Sequence, residues 1–359
     1  MSPFHRKQAF KTFVCLAAVS GLLAVNSFAQ YPGVGGTGGT PPTAGAPPTG
    51  GMPPTSGMPP TGGGYSPGPA GGGPTGIYNF HSNYHLGFDR PEAWGLKYFA
   101  SASLLSGLQP PSPPEGYHLG SVTVGFEVGW LPTLDPGQRQ IGFNGATPED
   151  LNKAPIFARP VVRVGLPAKF TAVVAAPPPF QLFGLTPKLL EFGLERPLLQ
   201  RDAWTVSWRG YGQVGSVKGA FTCPKSVLSS APGSAGNPTQ CVGESADVAS
   251  LRYAGSEFQV AYKIPSMPKL IPHAGVGGNF IDGVFQVHAP VVSGLDETRL
   301  WTRGGTFSSN WGISYLITKR AAITVDAFYS PLWVQRHAIG PTTNDGLFNV
   351  RALLSYSFR

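Results

Sequence analysis

The chain has 359 residues and a formal net charge of +8, and charged residues make up only 12% of it. Ordinary soluble domains carry about 25% charged residues, so this composition is unusual for a water-soluble surface. The positive charge is spread without a Lys/Arg block, which excludes a nucleic-acid site of the usual kind. Beyond the first 29 residues no apolar run reaches the roughly 18 residues of a spanning helix.

Residues 1–29 have the pattern of a secretory signal peptide. A basic start that includes Arg6 and Lys7 precedes an apolar run over residues 13–25. Residues 27–29, Ser-Phe-Ala, then give a small-x-small cleavage pattern. The sequence therefore predicts an exported protein.

Residues 30–75 form a tract of Gly, Pro and Thr in which Met-Pro-Pro-Thr occurs twice, at 52–55 and 58–61. Large apolar side chains are nearly absent, so burial cannot offset the conformational entropy that is lost when the segment becomes ordered. The composition predicts a disordered linker. The alternative is a segment that contacts peptidoglycan or a periplasmic partner, although no pattern of charged or aromatic residues favours it.

From about residue 76 the composition changes, and apolar residues begin to alternate with polar ones. The clearest case is 119–130, where Val124, Phe126 and Val128 share one face of the predicted strand. Alternation alone fits both a soluble sandwich and a membrane barrel, whose apolar face contacts lipid. The strand candidates, in chain order, are 76–88, 94–105, 119–130, 160–166, 169–176, 188–195, 203–216, 257–264, 269–280, 304–317, 320–333 and 347–359.

The candidate at 347–359 ends the chain on an alternating strand with aromatic residues. Phe348, Val350, Ala352, Leu354, Tyr356 and Phe358 share its apolar face. In this feature the chain resembles the outer-membrane β-barrel proteins of Gram-negative-type envelopes, whose final strand is the assembly signal and usually ends in Phe. Here Arg359 follows Phe358, a small departure from that pattern.

The resemblance implies an all-β fold, an antiparallel transmembrane β-barrel over residues 76–359. It also implies contact with outer-membrane lipid, and recognition of Tyr356 and Phe358 by the barrel-assembly machinery. Short turns alternate with long loops along the chain, as expected when turns face the periplasm and loops face outwards. With an even strand number and a linker that enters from the periplasm, we predict about twelve strands. Ten strands result if the candidate at 76–88 and one other fail.

Two of the long loops carry further signals. Cys223 and Cys241 lie in the loop at 217–254 and are the cysteines left after the leader, which contains Cys15. An even pair in an exported protein predicts a disulfide. In the loop at 131–157, Thr147 begins a pattern that predicts a short helix over residues 147–151.

Ionisable residues also fall on the inward parity of the predicted strands. Charges inside a barrel either pair and fill a narrow lumen or line a water-filled path, and both alternatives stay open at this strand number. The candidate lumen-lining residues are Glu127, Arg163, Glu191, Glu195, Arg209, Glu257, Lys263, Asp326 and Arg351.

Envelope lipid enzymes built on barrels use a His-x-Ser-Asn type of signature, in which His is the base and Ser the nucleophile. In this chain His81 directly precedes Ser82, so on a strand the two side chains would point to opposite faces. His273, His288 and His337 show no metal-ligand spacing. We therefore predict no enzyme, cofactor or metal site.

The function predicted from the sequence is a passive pore or small-solute channel in the outer membrane, with residues 30–75 in the periplasm. The alternative is a structural or adhesive surface barrel whose extracellular loops bind a partner. In that case the binding surface is expected in the loops at 131–157 and 217–254.

Overall fold

A computed structural model describes residues 82–107, 119–336 and 340–358. The signal peptide predicted for 1–29, the linker predicted for 30–75, and His81, His337 and Arg359 lie outside the described residues. The helices are α1 (Pro91–Ala102), α2 (Pro136–Arg139) and α3 (Gly142–Gly145). The strands are β1 (Asn83–His85), β2 (Val122–Trp130), β3 (Gln140–Ile141), β4 (Thr147–Pro148), β5 (Ile156–Gly165), β6 (Thr171–Ala175), β7 (Thr186–Arg201), β8 (Trp204–Gly219), β9 (Asp247–Tyr262), β10 (Leu270–Gln286), β11 (Ala289–Val291), β12 (Gly294–Asp296), β13 (Arg299–Leu316), β14 (Ala321–Ser330), β15 (Trp333–Val334), β16 (Thr343–Asn344) and β17 (Leu347–Phe358).

Ten of these strands form a closed antiparallel barrel. The order around the wall is β2, β5, β6, β7, β8, β9, β10, β13, β14 and β17, and β17 pairs back with β2. Each wall strand therefore pairs with the next wall strand along the chain, as in an up-and-down barrel. Closure leaves no free sheet edge in the wall.

The two faces of the wall differ in polarity. In β17, Phe348 and Leu354 are exposed, whereas Asn349 and Arg351 are buried. A soluble sandwich would bury the large apolar side chains and expose the charged ones. An apolar outer face with a polar interior is the arrangement of a transmembrane barrel, so the architecture expected from the resemblance is confirmed. Within the described part of the chain no helix has the length and apolarity needed to cross a membrane.

The strand count is ten, which is the alternative prediction, and not about twelve. Residues 94–105, predicted as a strand, belong mostly to the helix α1. The candidate at 76–88 yields only the three-residue β1 among its described residues. This strand pairs in parallel with Arg299–Trp301 of β13 and lies outside the barrel wall.

The helix predicted over 147–151 is also wrong, because Thr147–Pro148 form the strand β4. The two helices of this loop, α2 and α3, lie earlier, and α2 begins after Asp135. The Asp135 side chain accepts a hydrogen bond from the Gln138 main-chain N–H, and the Gln138 side chain accepts one from the Asp135 N–H. This reciprocal capping box begins α2, with Pro136 in its first turn.

The connections at the two ends of the barrel differ in length. At one end they are short: residues 166–170, 202–203, 263–269 and 317–320. At the other end they are long: residues 131–155, 176–185, 220–246, 287–298 and 331–346. We call these the turn end and the loop end. In outer-membrane barrels the short connections are periplasmic and the long ones extracellular.

The N-terminal part of the described chain runs into the barrel from its loop end. There the Trp94 Nε1–H of α1 donates to the Asp345 main-chain oxygen at 3.0 Å, in the connection before β17. Further along, the Gly107 N–H lies 3.2 Å from the Glu257 carboxylate, inside the barrel. The next described residues lie at the turn end, where the Gly120 N–H donates to the Gly165 oxygen. We call residues 82–107 the plug.

Candidate functional site

A buried cluster around Arg159 of β5 occupies one side of the lumen. The Arg159 Nε and Nη2 atoms lie 2.7 and 3.0 Å from the two Glu127 carboxylate oxygens, and its Nη1 donates to Glu191. Glu127 and Arg159 are direct cross-strand partners of β2 and β5. A bidentate guanidinium–carboxylate pair compensates much of the desolvation that burial of either charge alone would cause.

A second cluster centres on Arg209 of β8. Its Nη2 lies 2.9 Å from the Glu195 carboxylate, and its Nη1 lies 3.2 Å from that of Glu257. Both acids are cross-strand partners of Arg209, on β7 and β9. Arg163 also donates to Glu195, at 2.7 Å. The ion pairs of the two clusters therefore involve five of the ten wall strands.

Three wall arginines bind the main chain of the plug. The bonds, each 2.7 Å long, run from Arg159 to the Ser103 oxygen, from Arg351 to the Leu104 oxygen and from Arg209 to the Gly107 oxygen. Carbonyl groups at a helix C-terminus lack intrahelical donors and carry partial negative charge, so guanidinium groups suit the residues that follow α1. The wall therefore holds the plug by charge-assisted hydrogen bonds.

The helix α1 is also held by a contact with the loop end of the barrel. The Lys97 Nζ donates to the Trp333 oxygen at 2.5 Å and lies 4.5 Å from the centre of the Phe88 ring. Burial lowers the pKa of Lys97 to about 8, and the charge of Asp89 opposes this shift. A lysine on this helix is therefore easier to deprotonate than one in water.

Most of the predicted inward residues lie in the lumen and have partners there. His273 Nε2 and Asp326 Oδ1 are 2.6 Å apart, and both side chains are buried. Lys263 differs, because it is exposed in the turn after β9 and does not line the lumen. The buried residues of the predicted set are Glu127, Arg163, Glu191, Glu195, Arg209, Glu257, Asp326 and Arg351.

Arg159 is a central lumen residue that the sequence reasoning missed. The strand candidate began at Pro160, four residues after the start of β5 at Ile156. Arg159 has the same parity as Val161 and Arg163, so extending the alternation backwards would have found it. The plug was missed as well, since its residues were assigned to the wall.

A small cavity remains between the plug and the wall strands β2, β5, β6 and β8. It is lined by Leu105, Ser106, Gly107, Glu127, Arg159, Val161, Val173 and Arg209. These residues include both charged clusters and the end of the described plug, so the cavity belongs to the filled lumen.

At the loop end, two long connections form an ordered cap, which we define as residues 220–246 and 287–298. The predicted disulfide joins Cys223 to Cys241, and Cys241 forms a β-bridge with Val291. The buried Asp247 carboxylate accepts hydrogen bonds from the main chain of Thr222 and from that of His288. The disulfide therefore cross-links the first part of the cap, and the Cys241–Val291 bridge and Asp247 connect it to the second.

The cap exposes apolar side chains away from the lipid-facing wall. Val242 is 58% exposed, Val292 61% and Leu295 49%. They are neighbours in the fold, because the Val242 N–H donates to the Pro290 oxygen of the hairpin that also carries Val292 and Leu295. Clustered apolar exposure on an ordered surface is a common feature of contact sites.

Acidic residues gather beneath the cap around Glu149. Burial raises the pKa of Glu149 well above its usual range, and the charges of Asp247 and Glu92 raise it further. Among the described residues no group of three or more His, Cys, Asp or Glu side chains is placed to hold a metal ion. Glu149 therefore lies among negative charges under the cap.

No family model matches the chain, and no curated protein matches it. Solved structures that resemble it include the attachment invasion locus protein Ail of Yersinia pestis, 11% identical, with a TM-score of 0.28 over 67% of this chain and 100% of Ail. The outer-membrane protease OmpT of Escherichia coli is 10% identical, with a TM-score of 0.33 over 67% of this chain and 94% of OmpT. The Pseudomonas putida toluene transporter TodX is 11% identical, with a TM-score of 0.31 over 72% of this chain and 81% of TodX. Likeness at this level carries no information on the function of this chain.

Proposed function

We propose that the protein is an outer-membrane surface barrel, closed to passive flow, whose ordered loop end binds a partner. The plug is the observation that carries this proposal. It occupies the lumen, and three wall arginines donate to its main chain at 2.7 Å. A passive pore, the first expectation from the sequence, needs an open lumen and is less well supported.

The ionisable residues of the lumen support the closed state. Glu191, Glu195 and Glu257 are completely buried, and each has an arginine partner. Charges that line a water-filled path would be hydrated and would not need such partners. Of the two arrangements expected from the sequence, this pairing supports the one in which paired charges fill a narrow lumen.

The order of the cap supports a binding role for the loop end. Binding residues are disproportionately found on loops that a rigid scaffold holds in place. Here the disulfide, the Asp247 network and the hairpin β11–β12 hold Val242, Val292 and Leu295 in fixed positions. Fixed apolar groups lose little conformational entropy when a partner covers them.

Planar-bilayer recording of the refolded barrel tests the closed state. We expect a folded protein, identified by heat-modifiable migration in gels, that gives no discrete current steps in KCl. Steps that scale with salt concentration in the unmodified protein would mean an open lumen and would overturn the proposal.

Binding by the loop end needs its own measurement. Barrels in nanodiscs would be applied to arrays of immobilised glycans and matrix proteins, and the unmodified protein compared with V242S/V292S/L295S. We expect binding to at least one surface that the triple variant loses. The matched control is S226A/S229A/S234A, which changes the same cap at polar positions. Equal binding by the triple variant would contradict a role for these apolar residues.

A gated channel is the second candidate, and the polarity of the contacts between plug and wall favours it. If the plug moved out, the arginines and carboxylates of the wall would face water and could hydrate. Gly283 on β10 offers a test, because a Cβ there would lie 3.1 Å from the Leu96 Cβ of α1. In L96C/G283C, a gated channel would conduct after reduction and be silent when cross-linked. Silence in both states would argue against gating.

We also propose that the barrel lies in the outer membrane with its turn end in the periplasm. Tyr356 and Phe358 lie at the turn end with their rings 4.9 Å apart, where the proposed assembly signal would be accessible. The periplasmic position of residues 30–75 and their contact with peptidoglycan stay predictions. The position of β1 at the loop end does not favour them.

A further inference from the structure

Exposed charge at the turn end is almost entirely positive. The short connections and the adjoining end of β7 carry six exposed basic residues: Lys169, Arg201, Lys263, Lys269, Lys319 and Arg320. Asp202 is the one exposed acid among the described residues of this end. At the loop end, in contrast, both signs occur, and exposed or half-exposed acids there include Asp89, Glu92, Asp135, Asp150, Glu244, Asp282, Glu297 and Asp345.

The basic residues are distributed around the rim of the barrel. Three of the four short connections between wall strands carry at least one of them, and Arg201 ends β7 directly before the fourth. Arg201 lies 3.9 Å from Asp202, whose side chain is 82% exposed, so this ion pair is weak. In the described part of the chain no ion pair joins the other five to an acid. Among the described residues, acids therefore leave the positive charge of the rim largely unneutralised.

Aromatic residues place this rim at the membrane interface. The rings of Trp204 and Tyr262 lie 4.5 Å apart beside the turns, and Tyr315 is exposed on the lipid-facing side. Aromatic girdles mark the level of the lipid head groups in such barrels. Arg196 lies on the lipid-facing parity of β7 and stacks 5.0 Å from the Phe170 ring. The exposed cations therefore continue from the turns onto the lipid-facing wall.

We propose that the turn-end rim is a binding surface for the phosphate groups of anionic phospholipids in the surrounding leaflet. Lysine and arginine are the side chains that bind phosphate, and a basic belt next to the acyl region attracts anionic head groups. The aromatic girdle and the lipid-facing Arg196 favour lipid over a soluble anion. A soluble polyanion would not contact a cation on the lipid-facing side of the wall.

Two six-residue variants test the proposal at equal charge. The turn-end variant is K169Q/R201Q/K263Q/K269Q/K319Q/R320Q. The loop-end variant, which removes six exposed cations from the opposite end, is K188Q/K218Q/K225Q/R252Q/R299Q/R303Q. Each barrel is reconstituted in an equal mixture of phosphatidylglycerol and phosphatidylcholine, and the lipids that stay bound are counted by native mass spectrometry.

We expect the unmodified barrel and the loop-end variant to retain phosphatidylglycerol in preference to phosphatidylcholine. The turn-end variant should lose this preference by about tenfold or more, since several phosphate contacts are removed together. An unchanged preference in the turn-end variant would overturn the proposal. Equal losses in both variants would also overturn it, because net charge alone would then explain the effect.

Glycerol phosphate distinguishes a lipid surface from a site for free phosphate. At millimolar concentration it should leave the unfolding temperature of the detergent-solubilised barrel unchanged, whereas phosphatidylglycerol should raise it. A comparable rise with glycerol phosphate would overturn the lipid assignment. If the six-residue variant does not fold, K263Q/K269Q and K319Q/R320Q replace it, and each should show part of the loss.

Discussion

At the residue scale, single arginines decide whether the plug and the wall form one structure. Arg351 lies on β17, at the opposite end of the chain from the plug it binds. Its Nη1 donates to the oxygens of Leu104 and Ser106, and its Nη2 to those of Ser101 and Ala102. One guanidinium thus serves four carbonyl groups at the end of α1, a geometry that an ammonium group cannot reproduce.

Arg351→Met is expected to destabilise the barrel by about 3 kcal/mol, because it leaves buried carbonyl oxygens without donors. The stability of Arg351→Lys should lie between those of the unmodified protein and Arg351→Met, because lysine keeps the charge but loses the forked geometry. Urea unfolding in micelles measures the loss. Lys225→Met, at an exposed position of the cap, is the control and should change stability by less than about 0.5 kcal/mol. A similar small effect for Arg351→Met would show that the plug does not depend on this residue.

Glu149 gives the loop end a pH dependence with a defined sign. Because burial raises the pKa of Glu149 in the folded protein above its ordinary value of 4.5, the folded state favours the protonated carboxyl. This contribution to stability is fully present below about pH 4.5 and is lost as the pH rises towards the raised pKa. Glu149→Gln should remove this dependence, so its stability relative to the unmodified protein should increase with pH. Unfolding between pH 4.5 and 8 checks this, with Glu244→Gln as the exposed control.

The inward charges could be predicted from the sequence wherever the strand boundaries were right. Alternation has a period of two, so every residue between correct boundaries is assigned to its face. The prediction that Lys263 lines the lumen was wrong because the alternation was continued past the end of β9, where the chain already turns towards Pro265. Arg159 was not predicted because Pro160 was taken as the start of the strand, although Pro160 pairs with Phe126 inside β5.

At the element scale, α1 shows why an internal helix escapes a pattern-based reading. Trp94, Leu96 and Tyr98 alternate with other residues as they would in a strand. Nearly all of α1 is buried, so it has no polar stripe and no helical period for the sequence to show. Its start signals are local and were present, with Pro91 at the first helical position and Glu92 in the first turn.

The disulfide is expected to stabilise the cap without affecting the barrel wall. It closes a segment with a sequence separation of 18 residues, for which the chain-entropy model gives about 3 kcal/mol. In C223S/C241S we expect trypsin to cut after Lys225, which is exposed between the two cysteines. The unmodified protein should resist cleavage at this site. Both proteins should keep heat-modifiable migration, and a loss of the folded barrel in the variant would contradict the separation of cap and wall.

At the scale of the whole molecule, the wall and the plug are complementary in shape as well as in charge. Barrels of eight strands are filled by their own side chains, and ten strands leave only slightly more room. Gly283 and Gly193 of the wall provide part of that room. A Cβ at these positions would lie 3.1 Å from Leu96 and 3.4 Å from Leu105 of the plug. Removal of the plug should therefore leave an open space along the lumen.

Replacing residues 91–107 by a Gly/Ser segment of equal length is expected to turn the silent barrel into a conducting one. The current steps should scale with KCl concentration, because the lumen would then fill with water. Five carboxylates would face four arginines in the described wall: Glu127, Glu191, Glu195, Glu257 and Asp326 against Arg159, Arg163, Arg209 and Arg351.

This excess of one acid predicts a weak preference for cations, seen as the reversal potential in a tenfold KCl gradient. Adding Glu257→Gln to the same variant should bring the reversal potential towards zero, because acids and arginines are then equal in number. A folded variant without current steps would mean that the wall closes by itself when the plug is absent. The paired charges of the wall would then be enough to close the lumen. In that case the arginines that now donate to the plug would bind the wall carboxylates alone.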